Sequence, residues 1–261
     1  NNEASLNIYY KYNNEYLETK GYVSEVNFDT NLIESYNLLD IENYSNYGSL
    51  NPFSRTVTDV LKFAVIQRSR GCRARCTFCS VEKIMGIGGR IRSTNSVLEE
   101  IEFLVTKKNI THFEWLDDDL LYDIDEFKKL LETIIEKKWN ISWSANNGLI
   151  ASALDEHILK LINDSGCIGF KIGVETGNKE MLKGVKKPAS LNSFLKLSKM
   201  MIKYPKVFVG GNIILGLPNE KFYMLMDTFY FSIKMNYDWA VFTTCQAIRG
   251  ASAFSEMGEY F

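Results

Sequence analysis

The sequence predicts an α/β fold, a parallel sheet whose strands alternate with helices, preceded by an irregular N-terminal arm. Three observations carry this. From Phe63 onward, apolar runs of strand length alternate with stretches of helical periodicity, giving six strand–helix units. Runs such as 168–174 and 207–215 lack a polar alternate face, as strands covered on both sides do. The connections are long enough for helical crossovers, which join parallel strands in a right-handed sense. Six units can curl into a partial barrel or lie open as a doubly wound sheet, and periodicity does not choose between them.

Residues 1–60 are rich in Asn, Tyr and Ser and poor in helical periodicity. Residues 7–12 and 16–20 flank the polar Asn13, Asn14 and Glu15 and read as a hairpin. Residues 37–44 read as a short helical turn. Such a segment is an arm on a main domain over 61–261. The first strand is 63–67. A helix over 96–107 puts Val97, Ile101, Leu104 and Val105 on one face, with Thr94 or Asn95 as cap. The second strand is 111–116. A helix follows over 124–137, with Asp123 as cap and Phe127, Leu130, Leu131 and Ile134 inward. The third strand, 141–145, holds Trp143 as a core residue, and its helix, 154–163, is stopped by Gly166. After the fourth strand, 168–174, come a short helix behind Asn178 and a longer one over 191–203, ended by Pro205. The fifth strand is 207–215, the next helix 221–234, and the sixth strand 239–245.

Composition narrows the class. The chain has 261 residues, is 46% hydrophobic and carries a net charge of −2, so bulk charge gives no reason to expect nucleic acid or a membrane surface. No apolar run reaches membrane-spanning length, and the polar first residues do not make a signal peptide. An odd number of cysteines, clustered, argues against a secreted disulfide framework and fits a reducing cytoplasm.

Three of the five cysteines, Cys72, Cys76 and Cys79, stand as C-x3-C-x2-C in the loop after the first strand. Iron–sulfur clusters are held by cysteine thiolates at short loop spacings. Three thiolates leave one iron of a 4Fe–4S cubane open to a small molecule. Arg68, Arg70, Arg73 and Arg75 flank the cysteines and would favour thiolates. A zinc site completed by Cys167 or a histidine is the alternative, but zinc sites usually pair cysteines far apart, and no second pair exists. The cysteine spacing, with Phe78 just before Cys79, resembles the signature of the radical S-adenosylmethionine (radical SAM) enzymes. The resemblance covers roughly residues 60–250. It implies an open (β/α)6 barrel and a cluster whose fourth iron chelates S-adenosylmethionine, which is then cleaved reductively to a 5′-deoxyadenosyl radical. It also implies an external electron donor of the flavodoxin or ferredoxin kind. No catalytic side chain can be assigned, because the substrate is unknown.

Active sites of parallel barrels lie at the C-terminal ends of the strands, so the other candidates belong at that rim. Of Asp117, Asp118 and Asp119 after the second strand, Asp117 or Asp118 would receive the cofactor's ammonium or a substrate group; a solvated helix start is the alternative. Asn146, after the third strand, would contact ribose or substrate, although Asn146-Asn147-Gly148 is also a turn signal. Glu175 ends the fourth strand, where a bidentate acceptor suits two ribose hydroxyls or an ammonium; the alternative is an ion pair with Lys171 or Arg249. Residues 172–178 closely resemble the fourth-strand motif of the radical enzymes, which implies a cofactor-binding role for Glu175. On the fifth strand, Ile214 would pack on adenine and Gly216 would let its ring approach the backbone; with Phe78, Ile214 borders the adenine. Arg249 would sit at the rim after the sixth strand or on the surface.

Residues 34–44 are similar to the connector that follows a cobalamin-binding domain, which points to the cobalamin-associated branch and a methyl transfer or related radical reaction. On that reading the native protein continues in both directions, with a cobalamin domain upstream and a closing segment downstream. A methylthiotransferase-like modification enzyme and a non-catalytic iron–sulfur protein are the rivals; a fully buried cluster with no adjoining pocket would mark the latter.

Overall fold

A computed structural model describes residues 9–12, 15–18, 29, 33–46, 53, 62–86 and 88–253. The chain divides into two compact units, Asn1–Thr30 and Asn31–Phe261. In the first, β1 (Tyr9–Tyr12) and β2 (Glu15–Glu18) pair antiparallel, with Tyr12 opposite Glu15.

The second unit opens with a 3-10 helix, Ile33–Leu38, and α1 (Ile41–Asn46), so two short turns of helix stand where the sequence suggested one. Both are tied to the main body. Tyr36 Oη donates to Glu100 Oε1, Ile41 enters the core, and Phe53 is 2% exposed, edge-on to Phe208 at 5.8 Å between ring centroids. Phe53 lies where Gly169 and Gly210 present no side chain; a Cβ on Gly169 would come within 2.7 Å of its ring.

Six parallel strands make the sheet: β3 (Phe63–Ile66), β6 (His112–Trp115), β7 (Ser142–Leu149), β8 (Cys167–Glu175), β9 (Phe208–Leu215) and β10 (Trp239–Thr244). Their order in space is their order in the chain, β3-β6-β7-β8-β9-β10. A doubly wound sheet reverses its strand order partway across. Monotonic order is the winding of a barrel, and with β3 and β10 left as edges the barrel is open. Between β3 and β6 a small antiparallel ladder, β4 (Ser69–Arg70) with β5 (Arg90–Ile91), and α2 (Val81–Met85) frame the cysteine loop.

The crossover helices follow from their faces and caps. On α3 (Thr94–Lys108), Ser93 rather than Thr94 or Asn95 is the cap: its backbone is extended and its side chain accepts from Ser96 N, so Thr94 is already the first helical residue. On α4 (Ile124–Lys137), Asp123 caps as expected, and Phe127, Leu130, Leu131 and Ile134 are buried. There Phe127, Trp115 and Trp143 meet mutually edge-to-face at 6.2–6.5 Å, a geometry aromatic quadrupoles favour. Trp143 donates its indole N–H to Ser165 Oγ at 3.0 Å. The remaining helices are α5 (Glu156–Asp164), α6 (Lys179–Gly184), α7 (Leu191–Met201) and α8 (Phe222–Met235). Strand β7 runs four residues beyond its expected end. It passes through Asn146, Asn147 and Gly148, with its register against β8 shifted between Ala145 and Leu149. The apparent turn signal is therefore an irregular, bulged end of the strand.

Candidate active site

The cysteine loop is fastened by the acidic run that follows β6. Asp117, 3% exposed, accepts from Ser69 N, from Ser69 Oγ at 2.6 Å and from Arg68 N at 3.2 Å. Burial pushes its carboxyl up to about 6, against the pull of those donors. Asp118 Oδ2 accepts Gly71 N–H at 3.0 Å. Asp119 takes Arg73 through Nε at 2.6 Å and through the backbone N–H. Each acid thus pins a different point of one limb. Gly71, at φ +87°, closes the bend, since a Cβ there would stand 2.2 Å from Gly88 O.

This corrects the expectation for the flanking arginines. Arg68 is wholly buried; its guanidinium donates to Leu120 O at 2.9 Å and Asp123 O at 2.8 Å and lies over Phe127. Arg73 belongs to Asp119, and Arg70 donates to the Gln67 side chain. A buried guanidinium needs acceptors, and the turn over 117–123 supplies them, so most of the positive charge braces the loop. Only Arg75 of the four lines the cavity that the cysteines face.

That cavity, about 350 Å3, lies at the C-terminal rim. Cys72, Cys76, Cys79 and Phe78 form one wall, Asp118 and Asn147 another, and Glu175 with Gly173, Lys187 and Asn212 the floor. Burial pushes the Cys72 thiol up and the Cys76 thiol up to about 11, while the Lys187 ammonium pulls both back. Lys187, from the loop after α6, thus joins Arg75 as a cation lining this cavity.

Glu175 sits at φ +63° at the end of β8, a left-handed turn that aims its side chain back over the strand. Its Oε1 accepts from Lys187 Nζ at 2.7 Å, with the two side chains 9% and 12% exposed. Lys171 and Arg249, the partners of the alternative reading, do not make this pair. Burial opposes the charge on Lys187, but the Glu175 carboxylate and the nearby thiols hold it above the ordinary lysine value. Gly173 makes the pairing sterically possible: a Cβ there would lie 2.4 Å from both Glu175 Oε1 and Lys187 Nζ.

The structure brings Cys72, Cys76, Cys79, Phe78, Asp118 and Glu175 to this one cavity. Asn146 does not line it; the next residue, Asn147, does, with its amide donating to Leu116 O at 2.9 Å. Ile214 stands beside it, sharing with Phe78 an apolar cluster of Met181, Val185, Leu217 and Met224. Gly216, at φ +76°, does not line the cavity; its N–H is taken by Glu220 Oε2 at 2.6 Å, and no atom lies within 4 Å of where a Cβ would be. Arg249 is exposed. Cys167 is buried as a hydrophobe, whereas Cys245 is half-buried and packs beside Phe78 and Ile214. Buried His112 is hydrogen-bonded to Ser142 and Ser144 Oγ at 2.8 and 3.3 Å, and burial drives its pKa down to about 4. Sequence reasoning missed Lys187 and Asn212, and of the neighbours Asn146 and Asn147 it chose the one that does not line the cavity. Alternation could have found Asn212, two residues before Ile214 on the same strand face; nothing local marks Lys187.

The donor set fits a cluster open at one iron. Three thiols of one loop share one cavity wall, with a cation nearby and free space in front. Among the described residues, no three His, Cys, Asp or Glu side chains are set to hold a single metal ion. A cubane would instead take each thiolate on a different iron.

Comparison with known proteins agrees. An uncharacterized methyltransferase of Pyrococcus horikoshii is 27% identical over 217 residues, 83% of this chain and 44% of that protein. A ribosomal protein uS12 methylthiotransferase of Petrotoga mobilis is 27% identical over 165 residues, 61% of this chain and 38% of that protein. In fold, the chain resembles the radical S-adenosylmethionine methyltransferase TsrM of Kitasatospora setae, solved with cobalamin and a [4Fe-4S] cluster bound. The TM-score there is 0.66 at 18% identity, over 76% of this chain and 37% of that one. The chain spans less than half the length of each of these proteins. The family model of the Radical SAM superfamily matches residues 66–229, and the chain belongs to that superfamily.

Proposed function

We propose that this chain is the catalytic domain of a radical SAM enzyme. Cys72, Cys76 and Cys79 hold a 4Fe–4S cluster, and S-adenosylmethionine lies between that loop and Glu175. The observation that carries this is the meeting of the three cysteines with Glu175, from separate strands, on one open cavity of about 350 Å3. A cluster there supplies the electron that splits the cofactor's carbon–sulfur bond. Glu175 offers carboxylate oxygens to the cofactor's hydroxyls or ammonium, and Asp118 keeps one oxygen beyond its bond to Gly71 N–H. Phe78 and Ile214 give the adenine an apolar wall. An open cavity beside the cysteines also argues against a purely structural or electron-carrying cluster.

The substrate enters from the same rim, and a ferredoxin- or flavodoxin-like protein of a reducing cytoplasm supplies the electron. Among the described residues no helix is long and apolar enough to cross a membrane. The native protein is a cobalamin-dependent methyltransferase or performs a related radical reaction, with a cobalamin domain upstream of the arm over 1–60 and the core domain over 61–261. The methyltransferase relatives and the connector-like segment over 34–44 support this branch. Anaerobically reconstituted protein is expected to hold about four irons per chain and to cleave S-adenosylmethionine to 5′-deoxyadenosine under a strong reductant. Cys72→Ala, Cys76→Ala and Cys79→Ala should each lose the iron, whereas Cys167→Ala and Cys245→Ala keep it. Stoichiometric zinc in protein purified without oxygen would overturn the reading. The methylthiotransferase relative favours a second reading. Full-length protein with about eight irons and no cobalamin would select it; about four irons with stoichiometric cobalamin would exclude it.

A further inference from the structure

A second cavity, about 450 Å3, opens between α6 and α7 behind Lys187. This lies within the range of about 300–1,000 Å3 typical of small-molecule sites. Lys179, Lys183 and Lys187 line it with Ser190 and Asn192, and no carboxylate does. Lys179 and Lys183 stand one turn apart on α6, a like-charge spacing that destabilises a helix unless an anion lies between. Among the described residues neither has an ion-pair partner. Glu180, the acid between them in sequence, lines a separate cavity with Met181 and Pro218. Lys187 stands in the walls of both this cavity and the one the cysteines face. A ligand spanning the two would therefore present its anionic end here.

We propose that this lysine-lined cavity binds a phosphoryl group carried by the substrate. Lys187 is already paired with Glu175, but Lys179 and Lys183 bring two further ammonium groups to a lining that holds no carboxylate, and this suits a multiply charged, oxygen-rich anion better than a single carboxylate. Lysine meets phosphate as a point charge from several directions, without the planar fork that carboxylates favour. That the anion belongs to the substrate rests on the catalytic reading above; the anion site itself does not.

The test is titration of the metal-free chain with inorganic pyrophosphate, followed by broadening of its 31P resonance. Wild type should bind saturably, and the Lys179→Gln, Lys183→Gln double variant should bind at least about tenfold more weakly, with an unchanged circular dichroism spectrum. Lys179→Arg, Lys183→Arg should retain binding. Lys186→Gln, which removes one charge outside the cavity, should bind like wild type. Absence of saturable binding by wild type, equal weakening by Lys186→Gln, or equally effective displacement by citrate would each overturn the phosphoryl assignment. Cleavage of S-adenosylmethionine is read separately: its absence would sink the catalytic reading and leave pyrophosphate binding as it was.

Discussion

Removing Lys187 tests the electrostatics of the cavity floor. Lys187→Met keeps most of the stem's volume and leaves the Glu175 carboxylate, 9% exposed, without its cation. At 2.7 Å and an effective dielectric of about 20, the attraction between the two charges is about 6 kcal/mol. Desolvation of both ions offsets much of that, so the intact pair adds little net stability. Loss of one partner is different, because the stranded charge keeps its desolvation cost; a buried pair broken this way costs about 3–5 kcal/mol. Urea unfolding of the cluster-free protein reads this as a lowered midpoint. With a denaturant slope of roughly 3 kcal/mol per molar, the shift is about 1–1.7 M. Glu175→Gln with Lys187→Met removes both charges and should recover most of the loss. An unshifted midpoint in Lys187→Met, or a double variant as unstable as the sum of the singles, would refute the argument that the floor is built on this pair.

Glu175→Gln alone should weaken S-adenosylmethionine binding at least about tenfold in equilibrium titration while iron content stays that of wild type; unchanged affinity would remove Glu175 from the site. Asp119→Ala frees Arg73 from the cysteine loop and should lower iron incorporation on reconstitution, whereas Asp125→Ala, an exposed helix acid, should leave it unchanged. Asp117 has a folded-state pKa of about 6, above that of an unfolded carboxyl, so its contribution favours the folded state at low pH and is lost as pH rises through 6. The stability advantage of wild type over Asp117→Asn should therefore shrink by about 2.4 kcal/mol between pH 4 and pH 8, and a pH-independent difference would contradict it. Gly173→Ala places a methyl 2.4 Å from both ends of the Glu175–Lys187 pair and should destabilise the fold by about 1–3 kcal/mol through overpacking, measured by thermal unfolding.

The sequence by itself determined the parts whose cause is local. Six apolar runs separated by amphipathic stretches fixed the alternation of strand and helix, because burial on one face leaves a period that can be read along the chain. Asp123 was legible as a cap because a cap bonds backbone two or three residues away. Cys72, Cys76 and Cys79 were legible because one loop holds them all. Tertiary structure alone decided what depends on partners distant in sequence. Strand order, which separates an open barrel from a doubly wound sheet, is set by how crossovers wind and leaves no mark on periodicity. The Asp117–Asp119 run looked like a rim of ligands, yet Asp117 and Asp119 are taken up by Arg68, Ser69 and Arg73, some fifty residues earlier, and only Asp118, bonded to Gly71 N–H through one oxygen, also lines the cavity. Lys187 was one lysine among many until the left-handed turn at Glu175 and the missing side chain of Gly173 brought a carboxylate to its ammonium. A charge reveals its role only through the charges that folding places against it, and those contacts are not written in spacing along the chain.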